Sequence, residues 1–327
     1  MAWRALLQAL ACVITLAQVP GQAAEPASEP SAQQLLQDMA QATRDRNFSG
    51  RLVYMRGNDM STLEVLHARI NGREYERLTH LDGQAELIRH GDQLVCVHPD
   101  NTITRLGGRA GVGPLAIQEQ LARTLPQQYQ ILMQGRSRVA GRSAWEMHVI
   151  PGDAHRHGYR LWIDEESKLM LRSELVSITG EALERVEFIT LDLSPQLAVE
   201  DFEVPPAVAE QALEAVDASV HPQGRLQLQA DWLPDGFVAV AGDLRMASGG
   251  KAPVTAQAYS DGLASFTVFV ERDIDGALDE GMSAVGPTVA LARKFTGEQG
   301  GWLVTLVGEV PAETAERVLA ALTIQSQ

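Results

Sequence analysis

The stretch that decides the fold is Gly158–Leu193, GYRLWIDEESKLMLRSELVSITGEALERVEFITLDL. It reads as three consecutive antiparallel strands, Tyr159 to Ile163, Leu169 to Val176 and Leu183 to Leu193. The turns between them are Asp164-Glu165-Glu166-Ser167 and Thr179-Gly180-Glu181. Tyr159, Leu161 and Ile163 alternate with Arg160 and Trp162, and Leu183, Ile189, Leu191 and Leu193 repeat the period of two, so one face of each strand is expected inside. The meander carries no nucleophile–base pair, phosphate loop or metal spacing. It builds a surface or a cavity, which points to binding rather than catalysis.

Upstream, the same punctuation recurs. Strands are expected at Gly50–Arg56, Thr62–Ile70, Arg73–Leu81, Ala85–Arg89, Gln93–His98, Thr102–Leu106, Tyr129–Met133 and Ser143–Ile150. Asn71-Gly72 and Asp82-Gly83 are two-residue hairpin signals. Ala32–Arg46 places Leu35, Leu36, Met39 and Ala42 at helical spacing, and Pro114–Arg123 reads as a second short helix. Many strands in meander order with two helices predict one strongly curved sheet, filled on its concave side by those helices.

After Glu203-Val204-Pro205-Pro206 the composition becomes that of a linker, 205–222, around a helical turn at Ala209–Ala215. A smaller unit, 223–327, follows, with Trp232-Leu233-Pro234-Asp235-Gly236-Phe237, a hairpin at Ser260-Asp261-Gly262, paired strands at Thr288–Phe295 and Trp302–Gly308, and a last helix from Pro311. The predicted fold class is α+β and mainly β: a large half-open antiparallel barrel filled by helices over 24–204, then a small α+β domain.

Residues 1–23 read as an export signal, with Arg4, an apolar run from Leu6 to Ala17 and small residues at Gly21-Gln22-Ala23. The run breaks at Gln18 and Pro20, short of a membrane span. Glu25–Pro30 is a short polar tether. Cleavage near Ala23 would leave Cys96 as the only cysteine, which excludes an internal disulfide, and its strand-like setting makes it a packing residue. The 327 residues exceed one comfortable core. A formal charge of −15 disfavours nucleic acid as a partner.

Candidate chemistry is sparse. His148, His155 and His157 in HVIPGDAHRHG have metal-like spacing, but no His-Glu-x-x-His or Cys-x-x-Cys accompanies them, and solvated loop histidines are the expectation. Asp164-Glu165-Glu166 is expected to be a hydrated turn rather than an acid–base pair. Gly107–Gly113 lacks the Lys-Ser/Thr ending of a phosphate loop, and no Gly-x-Ser-x-Gly elbow occurs. No cofactor, metal or catalytic residue is assigned. Trp145, Met147, Trp162, Met170 and Phe188 are ordinary core or the lining of an acyl-chain cavity.

In order, Tyr159-x-Leu161-Trp162-Ile163-Asp164-x-Glu166-Ser167-Lys168-Leu169, Arg172, Gly180-Glu181 and Leu183-Glu184 resemble the RseB/MucB family of periplasmic sigma-E regulatory proteins. So do Trp232-Leu233-Pro234-x-Gly236-Phe237, Tyr259-Ser260-Asp261-Gly262-Leu263-x-Ser265-Phe266, Val307-Gly308-Glu309 and Pro311. Arg136-x-Arg138-x-Ala140-x-Arg142 and His67-Ala68-Arg69 also fit. The resemblance implies a LolA/LolB-like amino-terminal domain and a periplasmic, non-enzymatic protein that commonly self-associates. It also implies binding to the periplasmic domain of an inner-membrane anti-sigma factor, protection of that domain from site-1 proteolysis, and release by lipid or lipopolysaccharide. A carrier or chaperone for lipoproteins and acylated lipids is the alternative.

Overall fold

The computed structural model describes residues 30–83, 85–107, 121, 127–206, 209–212, 226–240, 244–246, 254–273, 276, 278–297 and 300–326. The export signal and most of the tether, the Gly107–Gly113 run after its first residue, the Pro114–Arg123 helix apart from Leu121, and most of 205–222 lie outside these. Ala32–Gln327 forms one compact unit.

Helix α1 (Ala32–Asp45) leads into β1 (Phe48–Arg56), β2 (Asp59–Ile70), β3 (Arg73–His80), β4 (Glu86–His90), β5 (Gln93–Val97) and β6 (Thr102–Gly107). A second run comprises β7 (Tyr129–Val139), β8 (Arg142–Pro151), β9 (Gly158–Asp164), β10 (Met170–Val176) and β11 (Ala182–Asp192). The two meanders join where β1 pairs with β11, and β12 (Ala209–Ala212) adds to β6 in parallel. The result is a twelve-stranded sheet with β12 and β7 at its edges, open rather than closed among the described residues. The expected helical turn at Ala209–Ala215 is therefore corrected: its first four residues are strand, because the open edge of β6 offers backbone partners that an isolated helical turn lacks.

Leu35, Leu36 and Met39 of α1 are fully buried against Trp145, Met147, Leu161, Ile163 and Met170, with Leu121 in the same cluster. The expected filling of the sheet by a helix is thus realised by α1.

The alternation on β11 needs correction. Val186 and Phe188 are buried, whereas Ile189 is exposed and Leu191 and Leu193 pack inward again. The pairing with β1 skips Ile189 between Phe188↔Leu52 and Thr190↔Arg51. A β-bulge inserts one residue there, so the inward set changes from even to odd positions. The Asp82-Gly83 signal also does not make a two-residue hairpin, since His80 and Glu86 bracket a five-residue loop.

Strands β7 and β8 are longer than expected because Ala140-Gly141 forms a tight turn with φ of 50° and 75°, the combination that two-residue hairpins require. Ala140 pays a left-handed cost that asparagine largely avoids. Ala140→Asn is expected to raise stability by about 1 kcal/mol in urea unfolding. A loss instead would mean that the alanine methyl's packing against the cluster of Val139, Ala144, Trp162 and Leu171 outweighs the backbone term.

The second sheet contains β14 (Val238–Ala239), β15 (Leu244–Met246), β16 (Val254–Ser260), β17 (Ser265–Asp273), β18 (Gly281–Val285), β19 (Thr288–Gly297) and β20 (Gly300–Gly308). Helix α2 (Ala312–Ala320) packs Ala315, Val318 and Leu319 onto it, with Pro311 as the capping residue before the first turn. A ribbon of β13 (Leu226–Ala230) and β21 (Leu322–Ser326) completes this part. Phe237, Phe266 and Tyr259 form its aromatic centre, with ring centroids 5.4 and 5.2 Å from Phe266.

Candidate functional site at the sheet junction

The loop between β8 and β9, residues 152–157, is the polar segment that carries two of the three histidines. It does not sit in solvent. Arg156 is 0% exposed and its guanidinium crosses to the second sheet. Nη1 donates to Asp261 Oδ2 at 2.5 Å, Nη2 donates to Asp153 Oδ2 at 2.8 Å and to the Asp235 carbonyl at 2.7 Å, and Nε donates to Asp153 Oδ1 at 3.1 Å. The group lies 5.2 Å over the Phe237 ring and 5.6 Å over that of Tyr129. Tyr129 Oη donates to the same Asp261 oxygen at 3.1 Å, and Asp261 Oδ1 accepts the backbone N–H groups of Leu263 and Ala264 at 2.8 and 2.7 Å.

Burial opposes the charge on Arg156, but the hydrogen bonds it donates to Asp153 and the fields of Asp153 and Asp261 hold its proton more firmly than usual. Asp153 is correspondingly held below its ordinary value: burial pushes it up, and the hydrogen bonds from Arg156 and the His155 N–H, with the charges of both residues, together more than reverse this. A charge this deep is tolerated only because its donors are so fully engaged.

His155 and His157 are packed beside this node, which corrects the expectation of solvated loop histidines. His155 Nδ1 lies 3.1 Å from Thr314 Oγ1 of α2, and its ring meets Trp232 edge-on at 5.0 Å. His157 is buried, and burial pushes its pKa down to about 4 against the partial opposition of a hydrogen bond to the Pro287 backbone. His148 lies apart on β8, with Nε2 3.1 Å from Glu146 Oε1.

A second set of contacts joins the sheets at the end of β1. Arg56 donates to Thr288 Oγ1 and approaches Glu184 and Glu309 at 3.9 and 3.7 Å. Tyr54 Oη donates to Glu184 Oε2 at 3.0 Å. Gly57 and Gly286, with φ of 60° and 56°, meet so closely that a Cβ on Gly286 would lie 2.6 Å from Arg56 Cγ. Only glycine permits both that backbone conformation and that approach. Glu184 is raised by burial and by the charge of Glu309, and Glu309 is raised by burial.

These shifts give opposing pH dependences. A base whose folded pKa is depressed stabilises the fold above its unfolded value, and that contribution is lost as pH falls through the folded value. His157 therefore costs stability between pH 6.5 and about 4. Glu184 and Glu309, raised in the fold, contribute most below their ordinary values and less as pH rises. Relative to His157→Gln, the unsubstituted chain is expected to lose roughly 3 kcal/mol between pH 7 and 4, read from urea midpoints. Parallel pH profiles of the two proteins would exclude this role.

The Asp164 turn also differs from a hydrated one. Asp164 is buried, accepting Arg142 Nη2 at 2.9 Å, Ser167 N at 2.8 Å and Ser167 Oγ at 2.6 Å, while Glu166 stays exposed. Glu174, expected only as a strand residue, is buried among Arg160, Arg172 and Arg185. Cys96 is half-buried in β5, and burial pushes its thiol up, as an unreactive packing thiol requires.

The five cavity candidates are all buried, in three places. Trp145, Met147 and Met170 share the cluster with α1. Phe188 packs with Phe48 and Leu52. Trp162 faces the other side of β9, where its Nε1 donates to Glu146 Oε2 at 3.1 Å and Arg172 stacks 4.2 Å above it.

Arg156 and Arg56 were not singled out from the sequence, and Glu309 entered only as part of the family pattern, because the pairs Arg156–Asp261, Arg56–Thr288 and Arg56–Glu309 join residues 105, 232 and 253 positions apart and no short period encodes such pairs. The one legible signal was an unusually polar loop placed between two apolar strands.

Both halves of this junction fall inside matches to known proteins. The model of the MucB/RseB N-terminal domain matches residues 31–208, and that of the MucB/RseB C-terminal domain matches residues 222–323. The chain belongs to the MucB/RseB family. The sigma factor AlgU regulatory protein MucB of Pseudomonas aeruginosa is 33% identical over 311 residues, covering 93% of this chain and 94% of the relative. The sigma-E factor regulatory protein RseB of Escherichia coli is 28% identical over 304 residues, covering 90% and 91%. Among solved structures, the Pseudomonas aeruginosa MucA/MucB complex matches with a TM-score of 0.70 at 31% identity, over 91% of this chain and 99% of that one. A crystal structure of MucB in complex with MucA(peri) matches with a TM-score of 0.69, over 90% of this chain and all of that one.

Proposed function

We propose that the chain is a periplasmic, non-enzymatic regulator that binds the periplasmic domain of a membrane-bound anti-sigma factor, shields it from site-1 proteolysis and lets go when lipid or lipopolysaccharide binds. The observation that carries this reading is the match along both sheets to a MucB structure solved with MucA(peri). Family membership over both matched regions supports it too. A lipoprotein carrier would have no evident use for the second sheet and its buried connection to the first.

The junction supplies the means. Residues 24–204 and 223–327 act as two domains about the 205–222 segment, and the Arg156–Asp261 node sets the arrangement they adopt. If lipid favours one arrangement and the anti-sigma segment another, each weakens the other by the same factor. The lipid-facing set is Trp145, Met147 and Met170, adaptable side chains that share a cluster with α1; Trp162 and Phe188 take second place.

The test is protection. The purified anti-sigma periplasmic domain is digested by its site-1 protease with and without this protein, then with lipopolysaccharide added. Slower cleavage that lipopolysaccharide restores is the expected result, and undiminished cleavage at saturating protein refutes the reading. Sedimentation of the same sample checks for the self-association that the family resemblance implies.

A further inference from the structure

His67, Glu74 and Glu76 stand on one face of the β2–β3 hairpin. His67 lies directly across from Glu76 in the strand register, and Glu74 is two residues along β3, on the same side. One ligand-type atom from each residue lies within 4.8 Å of the other two. The His67 ring is 0% exposed and is stacked on Phe48, with centroids 4.8 Å apart and planes 14° from parallel. Its Nδ1 lies 2.9 Å from the Arg46 carbonyl just past α1. A carbonyl can only accept, so Nδ1 carries the proton.

That bond fixes the tautomer. In the neutral ring Nε2 is then a bare lone pair, buried, aimed at two carboxylates and without a hydrogen-bond partner. A lone pair facing carboxylates is repelled unless a cation sits between them. The Nε2 to Glu74 Oε1 distance is 3.6 Å, too long for a hydrogen bond. It is close to the separation of roughly 3.3–3.5 Å between two ligands of a tetrahedral zinc ion with bonds of about 2.0–2.1 Å. An imidazole whose other nitrogen donates to a backbone carbonyl is also the arrangement that orients metal-bound histidines.

We propose that His67, Glu74 and Glu76 bind one divalent transition-metal ion of the zinc class, through Nε2 and one oxygen of each carboxylate. The two carboxylates set negative charge beside the buried ring, and that field favours a metal ion. Arg69 and Arg89 also act on Glu74, and their positive charge limits the affinity. The bound ion clips the end of α1, through the Arg46 carbonyl, to the β2–β3 hairpin. The site is structural and performs no reaction.

The test uses the purified chain stripped with a chelator, titrated with Zn²⁺ by calorimetry and with Co²⁺ by visible absorption. One equivalent should bind, with cobalt bands of a four-coordinate nitrogen–oxygen site that zinc abolishes. Glu74→Gln should weaken binding roughly tenfold or more, and Glu74→Gln/Glu76→Gln should remove the cobalt bands. Both carboxylates are partly exposed, so these variants keep the fold, which circular dichroism checks; His67→Gln is less suitable because its ring is packed. Unchanged affinity in the double variant would assign the metal to other histidines and overturn the proposal. So would the absence of saturable binding by the parent chain, which would leave His67 as an imidazolium paired with its acids.

Discussion

Arg156→Met is expected to destabilise the folded chain by about 3–5 kcal/mol, the cost of leaving one partner of a buried ion pair unpaired. Asp261 would keep its two backbone donors and Tyr129 Oη but lose the Arg156 guanidinium beside its fully buried side chain. Asp153 would lose both of its arginine hydrogen bonds. Urea unfolding followed by tryptophan fluorescence reads the effect, since Trp145 and Trp162 report on the first sheet and Trp232 and Trp302 on the second. The two sheets should lose their common transition, with the second unfolding earlier. Adding Asp261→Asn to Arg156→Met should restore a large part of the loss, because the stranded charge is gone, and the cycle isolates the coupling between the two residues. A single-variant loss under about 1 kcal/mol would mean that the node is dispensable and that the sheets are held by their apolar contacts alone.

Met147→Ala is expected to cost about 2–5 kcal/mol, the transfer free energy of the lost side chain plus that of the cavity it leaves. Met147 is fully buried and pairs across β9 with Leu161, under Leu35, Leu36 and Met39 of α1. The experiment also tests the lipid-facing role. If this cluster opens to accept an acyl chain, the enlarged interior should take up a hydrophobic probe such as a naphthylamine dye more tightly than the parent does, despite the lower stability. A destabilised protein with unchanged probe binding would show that this cluster is core and nothing more.

The two predictions act on different kinds of interaction, and that difference tracks what was legible in the chain. The Gly158–Leu193 meander was readable because each strand states its own period and each turn its own residues, so β9, β10 and β11 fall where the alternation puts them. The inner face of α1 was readable for the same reason. The phase of β11 was not: one bulge residue opposite β1 turned Ile189 outward, and a bulge is set by the partner strand rather than by local pattern. The edge position of β6, which drew Ala209–Ala212 into strand, is likewise a property of the sheet.

The junction is the extreme case. HVIPGDAHRHG looked like a solvated loop, because isolated polar residues between two strands ordinarily are. Arg156 and His157 are buried only because Asp261, Asp235 and Pro287 arrive from more than seventy residues away.

Local order therefore determined the strands, the packing helices, the division into a large and a smaller β-rich part and the lack of a recognisable catalytic motif. These depend on periodicity and turn chemistry, which act over a few residues. Tertiary structure alone decided where charge is buried, which glycines touch, and which histidine faces two carboxylates. Those outcomes depend on desolvation and on contacts between distant segments, and neither exists until the sheets have come together.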